Sequence, residues 1–186
     1  MKFFIIILLT LLSLPGNTQR YSEIVTNNEI SNFLTWFVRN DSAQEIKYVN
    51  KDITELDEEC FRYMDTMRLP YLPANIFINA YRLDTIFTKA DADFFIKQIR
   101  FQKANAWHLR LGNVKLIKYV SSDEVRWNRE AFYYFSLPLF SVDMQYVIID
   151  KSCYCGLDCG YGNYFLYRRQ SAKSWKKVNA INGWVE

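Results

Sequence analysis

The segment Ser136–Trp175 decides the fold, and it reads SLPLFSVDMQYVIIDKSCYCGLDCGYGNYFLYRRQSAKSW. Its part from Gln145 to Cys155 contains no Pro or Gly and is rich in β-branched and aromatic residues, which predicts a strand. Because side chains alternate along a strand, one face carries Val147, Ile149, Lys151, Cys153 and Cys155. That face begins apolar and is expected to lie on the core, and Lys151 predicts that it opens to solvent towards its end.

A cross-linked hairpin is expected directly after this strand. Cys155 and Cys159 bracket the three residues Gly156-Leu157-Asp158, and a second strand is predicted over Asn163–Arg168. Three-residue hairpin loops need a residue with positive φ, which Gly supplies at little steric cost. Strand pairing across this loop would place the two cysteines opposite each other, at a separation that a disulfide can bridge. The alternative is a pair of reduced thiols buried as small hydrophobic groups.

Residues 1–18, MKFFIIILLTLLSLPGNT, have the pattern of a secretory signal peptide: one Lys, an apolar run, and a helix-breaking Leu-Pro-Gly. The apolar run is too short to span a bilayer comfortably, and no second one follows, so no transmembrane segment is expected after cleavage. Cleavage is expected after Gly16 or Thr18, which predicts a secreted or periplasmic protein. A retained N-terminal anchor is the alternative.

Residues 19–186 are expected to form a single domain. Removing the one Lys of the signal peptide lowers the number of basic residues from 23 to 22, against 20 acidic residues. A charge so nearly balanced gives no reason to expect nucleic acid or an anionic membrane as a partner. With half of its residues hydrophobic, the chain has ample material for one core.

Three helices are predicted ahead of the strands. The first spans Asn28–Val38, can be capped by Asn27 or Asn28, and has an apolar stripe made of Ile30, Phe33, Leu34, Phe37 and Val38. The second spans Thr54–Met67 and places Cys60 towards the interior. The third spans Thr88–Lys103, where Thr88 and Asp91 have the spacing of a capping box.

After Trp107 the sequence pattern becomes typical of strands. Gly112-Asn113 lies between two alternating runs and predicts a two-residue hairpin of type II′. Further strands are expected at AFYYFS (131–136) and at the C-terminal SWKKVNAINGWVE. This order predicts an α+β fold with N-terminal helices packed on a C-terminal antiparallel β-meander, because the spacing is too short for βαβ crossovers.

The second half of the chain resembles a group of small uncharacterised secreted bacterial proteins. The resemblance rests on S-x-P-x-F-S, which starts at Ser136, on C-G-x-x-C-G-x-G, which starts at Cys155, and on the later Trp175-Lys176. The Thr88 helix with Gln98 is similar to the middle part of the same group. The resemblance implies a secreted single-domain protein and implies no activity.

The four cysteines have three possible pairings, and an even number behind a signal peptide favours disulfides. Cys155–Cys159 together with Cys60–Cys153 fits the local pattern, and two free buried thiols are the alternative for the second pair. A thiol- or zinc-dependent activity at Cys153, Cys155 and Cys159 is a further hypothesis. Their spacing is neither that of a redox motif nor that of a zinc finger.

No catalytic constellation is evident, and no cofactor or metal is expected. His108 is the only histidine, so any nucleophile–histidine mechanism would have to use it. A carboxylate-based hydrolase is the other enzymatic hypothesis. Its candidate acids lie in helix first turns and in turns, where local structure accounts for them.

Aromatic side chains are the remaining functional signal. Four of them run from Phe132 to Phe135, so a strand must place two on each face. The possible binding residues are Tyr133, Tyr154, Tyr161 and Tyr164. We therefore expect a non-enzymatic domain that binds another protein or a cell-envelope component, with core packing as the alternative role for these rings.

Overall fold

The computed structural model describes residues 19–40, 45–58, 61, 86–118, 131–156 and 159–185, so the predicted signal peptide lies outside it. It contains the helices α1 (Asn27–Asn40) and α2 (Lys89–Arg100). The strands are β1 (Tyr48–Asn50), β2 (Lys115–Ile117), β3 (Phe132–Phe135), β4 (Leu139–Phe140), β5 (Tyr146–Gly156), β6 (Cys159–Ser171) and β7 (Ser174–Val185). In this part of the chain, neither helix is long and apolar enough to cross a membrane.

All seven strands belong to one mixed sheet with the order β2-β1-β3-β5-β6-β7, and β4 pairs with β5. The C-terminal strands β3, β5, β6 and β7 pair with their neighbours in antiparallel fashion, as predicted. The sheet as a whole is mixed and not only an antiparallel meander, because β1 is parallel to both β2 and β3. Since β1 and β2 have three residues each, neither carries a readable alternation.

The predicted hairpin at Gly112-Asn113 was also wrong. A turn is present there, and Gly112 has a φ of 63°. However, residues 107–111 are not a strand, and β2 pairs instead with β1. The backbone of this segment makes single long-range hydrogen bonds, such as that from the Trp107 N–H to the Lys51 carbonyl.

Strand β5 lies in the middle of the sheet, and its segment 147–149 is buried on both faces. Val147, Ile149, Lys151 and Cys153 point to the side of α1, as the alternation predicts. Ile148 points to the side of α2. The expectation that Lys151 opens this face to solvent was wrong: Lys151 is 4% exposed, and the rings of Phe37, Tyr133 and Phe165 surround its ammonium group at 5.4–5.7 Å.

Helix α1 buries the five residues of its predicted stripe. Phe33 and Phe37 contact the ring of Tyr167 on β6, at centroid distances of 5.5 and 5.7 Å. Trp36 is half-buried and contacts Trp175 on β7. The helix cap differs from the prediction. The hydroxyl oxygen of Thr26 accepts from the Glu29 N–H, while Asn27 instead accepts from the Tyr21 N–H.

Helix α2 begins with the predicted capping box of Thr88 and Asp91. Its Phe95 packs on the opposite face of the sheet, in a cluster with Leu139, Ile148 and Leu166. This helix starts one residue after Thr88 and ends at Arg100, three residues before the predicted end.

Two buried polar side chains of α2 hold the β4 end of the sheet. The Gln98 amide donates to the Phe140 carbonyl at 2.7 Å and accepts from the Phe140 N–H at 3.0 Å. One oxygen of Asp91 accepts from the Val142 N–H at 2.9 Å. Burial opposes the charge of Asp91, but this bond and those from Thr88 outweigh it and lower the pKa of the carboxyl.

The predicted helix over Thr54–Met67 does not begin where expected. Residues 54–57 are not helical, because the Thr54 N–H donates to the Phe135 carbonyl and Thr54 forms an isolated bridge with Ser136. Except for Phe61, the remainder of this predicted helix after Glu58 lies outside the described residues.

Phe37→Ala is predicted to lower the free energy of unfolding by about 3–5 kcal/mol, because Phe37 is fully buried between Phe33, Phe135 and Tyr167. Urea unfolding measures the loss. The exposed Asn28 on the same helix provides the control, since Asn28→Ala is expected to change stability by less than about 0.5 kcal/mol. A loss below about 1 kcal/mol for Phe37→Ala would contradict this packing.

Candidate functional site

Cys155 and Cys159 form a disulfide at the tip of the β5–β6 hairpin, as predicted. Their Cα atoms are 5.1 Å apart. The expected register was wrong, because the partner of Cys159 in the ladder is Gly156, and Cys155 lies in a bulge between Tyr154 and Gly156. Since β5 extends to Gly156 and β6 begins at Cys159, the connection is residues 157–158, which lie outside the described residues.

Cys153 has a free, buried thiol, so the predicted Cys60–Cys153 disulfide was wrong. Cys60 itself lies outside the described residues. The ladder explains the state of Cys153: its partners are Tyr133 on β3 and Tyr161 on β6, and its thiol is hydrogen-bonded to both of these side chains. The core face of the sheet therefore surrounds this thiol with phenol groups.

The surroundings of Cys153 do not favour thiol chemistry. Burial raises the pKa of Cys153, although the hydrogen bonds to both tyrosines and the charge of Lys151 act in the opposite direction. Burial and the nearby Cys153 raise the pKa of Tyr161 as well. Reactive thiols need a lowered pKa and access to solvent, and Cys153 has neither.

The zinc hypothesis gains no support from the described residues. Cys155 and Cys159 are oxidised, and thiolates are the form that binds zinc. Within this part of the chain, no group of three or more His, Cys, Asp or Glu side chains is placed to hold a metal ion. His108 is exposed, and the bond recorded for it is from its backbone N–H to the Tyr21 hydroxyl.

The carboxylate-pair hypothesis gains no support from the cleft beside α2 among the described residues. A cleft of about 410 Å³ lies beside the C-terminal end of α2, lined by Ile99, Gln102 and Lys103. Glu55 is the one acidic residue in its lining. Glu58 forms a bidentate ion pair with Arg100. Glycoside hydrolysis needs two carboxyl groups that flank one glycosidic bond, and the lining of this cleft supplies one.

The four possible binding tyrosines separate onto the two sides of the sheet. Tyr133 is 1% exposed, so it is not available to a partner at the surface, and that prediction is corrected. Tyr161 lies half-buried on the same α1 side, next to Cys153. Tyr154 and Tyr164 point to the α2 side, because they alternate with residues of the α1 core.

The α2 side of the sheet carries a cluster that we call the tyrosine face. Its members are Tyr134 on β3, Asp150, Ser152 and Tyr154 on β5, and Tyr164 on β6. Strand register brings them together, because Tyr134 pairs with Ser152 and Asp150 pairs with Tyr164. The Tyr134 and Tyr154 rings meet edge to face at 5.5 Å, and Tyr154 is 38% exposed.

Glycine residues occupy the β6 positions beside the outer part of the tyrosine face. Gly162 is the ladder partner of Ser152, and Gly160 is the partner of Tyr154. Neither position provides a side chain next to the Tyr154 ring. The face is therefore lined by phenol groups on one side and by backbone on the other.

Asp150 lies on this face and was not among the binding residues predicted from the sequence. It is the only acidic residue in the seven strands. Among the described residues its carboxylate has no hydrogen-bond or ion-pair partner, and burial alone raises its pKa to about 6. Its backbone, in contrast, is well held, since its N–H donates to the Ser136 hydroxyl at 2.9 Å. The alternation places Asp150 opposite the Ile149 side, but its lack of a partner has no sequence signal.

No family model matches the chain, and neither a curated protein nor a solved structure matches it. The geometry of the described residues is therefore what supports a functional inference.

Asp150→Asn is predicted to stabilise the protein at pH 7 by up to about 3 kcal/mol, because it removes a half-buried carboxylate whose pKa is raised by loss of contact with water. A carboxyl group whose pKa is raised on folding destabilises the fold as pH rises from about 4, its unfolded value, through about 6. The gain should therefore vanish near pH 4.

Urea unfolding of both proteins at pH 4 and pH 7 measures this difference. The exposed Asp93 provides a matched control, because Asp93→Asn should show little effect at either pH. An Asp150→Asn stability difference that is the same at both pH values would contradict the raised pKa.

Proposed function

We propose that the protein is an exported, non-enzymatic binding domain, and that the tyrosine face binds a hydroxyl-rich polysaccharide of the cell envelope. The observation that carries this proposal is that the exposed Tyr154 ring and the unpartnered carboxyl of Asp150 lie on the same side of β5, with Ser152 between them. Export is supported by the sequence pattern of residues 1–18 and by the Cys155–Cys159 disulfide, since disulfides persist in oxidising compartments.

The chemistry of the face suits a sugar. Tyrosine offers an apolar ring surface and a polar hydroxyl, so it can pack on the C–H face of a pyranose and bond its hydroxyls. Asp150 and Ser152 add hydrogen-bonding groups that can fix the orientation of a ligand. Asp150 is the only acidic residue on the described strands, so these strands supply one carboxyl where hydrolysis would need two.

The thiol alternative is less well supported than binding. It would require Cys153, which is buried on the opposite side of the sheet and has a raised pKa. Binding at the tyrosine face requires no buried residue to become accessible, because Tyr154 is already exposed at the end of the sheet next to the hairpin tip.

Tyr154→Ala is predicted to weaken binding to insoluble polysaccharide by about 10-fold or more, because exposed aromatic anchors carry a large share of binding energy. The assay is co-sedimentation of the mature protein with purified peptidoglycan, with cellulose and with chitin, each in a separate arm. Phe101 provides a matched control, since it is an exposed aromatic residue at the C-cap of α2, so Phe101→Ala should bind as the wild type does.

Failure of the wild-type protein to bind any of the three polysaccharides would overturn the polysaccharide assignment. Equal binding by Tyr154→Ala and the wild type would show that the tyrosine face is not the site.

A further inference from the structure

The N-terminal segment of the described chain is anchored from its first residue. The Gln19 carbonyl accepts from the Asn27 side-chain amide at 2.8 Å, and the oxygen of the same amide accepts from the Tyr21 N–H at 3.0 Å. Tyr21 is 1% exposed, its ring contacts Trp107, and its carbonyl accepts from the Lys103 N–H. Tyr21 is therefore a core residue, so a signal peptidase must cut before it.

The two cleavage positions differ in how well they fit the enzyme. Signal peptidases prefer small residues one and three positions before the cut, and cleavage after Thr18 places Thr18 and Gly16 there. Cleavage after Gly16 would place Leu14 at the more distant of those positions.

We propose that the exported protein begins at Gln19 and that this residue is modified to pyroglutamate. The inference rests on the proposed export of the chain. In the reaction, the free α-amine of Gln19 attacks its own side-chain amide carbon. A five-membered lactam forms through the new N–C bond, the C–NH₂ bond breaks, and ammonia leaves, so no other reactant is needed.

The structure is compatible with ring closure at this position. Gln19 is exposed, and the carbonyl that Asn27 holds takes no part in the reaction. The neighbouring Arg20 is turned away along the chain, because its guanidinium donates to the carbonyls of Ser22 and Glu23. The contacts at this position therefore involve neither of the two groups that would react after cleavage, the α-amine and the side-chain amide of Gln19.

Ring closure would protect the core. Tyr21 lies only two residues after the proposed N-terminus, so an aminopeptidase that removed Gln19 and Arg20 would reach a buried side chain. A lactam removes the free α-amine that such enzymes require. It also removes a positive charge beside Arg20, which lies next to it in the chain.

Mass spectrometry of protein recovered after export tests the proposal. Digestion with a glutamate-specific protease, which cuts after Glu23, should yield residues 19–23 at a mass one ammonia below the linear peptide, with no amine-labelled N-terminus. Gln19→Ala provides the control, because it keeps the cleavage pattern and cannot form the ring. With added aminopeptidase, the Gln19→Ala protein should lose N-terminal residues, and the wild type should not.

The outcomes are distinguishable. A linear Gln19 with a labelled α-amine would overturn the modification, and a peptide beginning at Asn17 would overturn the cleavage position. An intact Met1 on the recovered protein would overturn export itself, and with it the wider proposal.

Discussion

The burial of residues 147–149 of β5 on both faces is the constraint on which the rest of the structure depends. Val147 and Ile149 need an apolar cover on one side, and Ile148 needs one on the other. Helix α1 supplies aromatic rings to the first side, and α2 supplies Phe95 to the second. A sheet with two apolar faces cannot be stable with helices on only one of them, because exposed apolar strand surface costs free energy.

The position of α2 also determines where the tyrosine face lies. Gln98 and Asp91 bond to the backbone of Phe140 and Val142, which holds this helix over the β4 end of β5. Its apolar contacts fall on Ile148, and the next residues on the same side of β5 are Asp150, Ser152 and Tyr154. The polar and aromatic residues thus begin where the contacts of α2 end. Binding chemistry on this face is a consequence of how the helix is held.

Long periodic elements could be predicted from the sequence, because each residue in them repeats the same signal. The stripe of α1, the capping box of α2, and the alternation of β5 are of this kind. The parallel pairing of β1 could not be predicted, because three residues show no period and their partners are distant in the chain. The bulge at Cys155 could not be predicted either, because the register of a hairpin depends on how both of its strands pack and not on one strand alone.

The candidate site was predicted only in part. Aromatic composition pointed to Tyr154 and Tyr164, but it could not separate them from Tyr133, whose burial depends on the packing of α1. The burial of Lys151 and the free thiol of Cys153 could not be predicted for the same reason, because both depend on packing across strands. A lysine in a strand suggests solvent, whereas here three aromatic rings enclose it. The motif residues Ser136 and Phe140 prove to bind Asp150 and Gln98, a structural role, and membership of the secreted group they resemble stays a prediction.

Hydrogen exchange of individual backbone amides tests most directly whether β5 is the centre of the fold. The amides from Val147 to Ile149 are predicted to exchange only through global unfolding, because this part of β5 lies between β4 and β6 and is covered on both faces. The amides of β2 and β7, at the two ends of the strand order, should exchange faster through local opening. Exchange of these β5 amides at the rates of β2 and β7 would contradict this prediction.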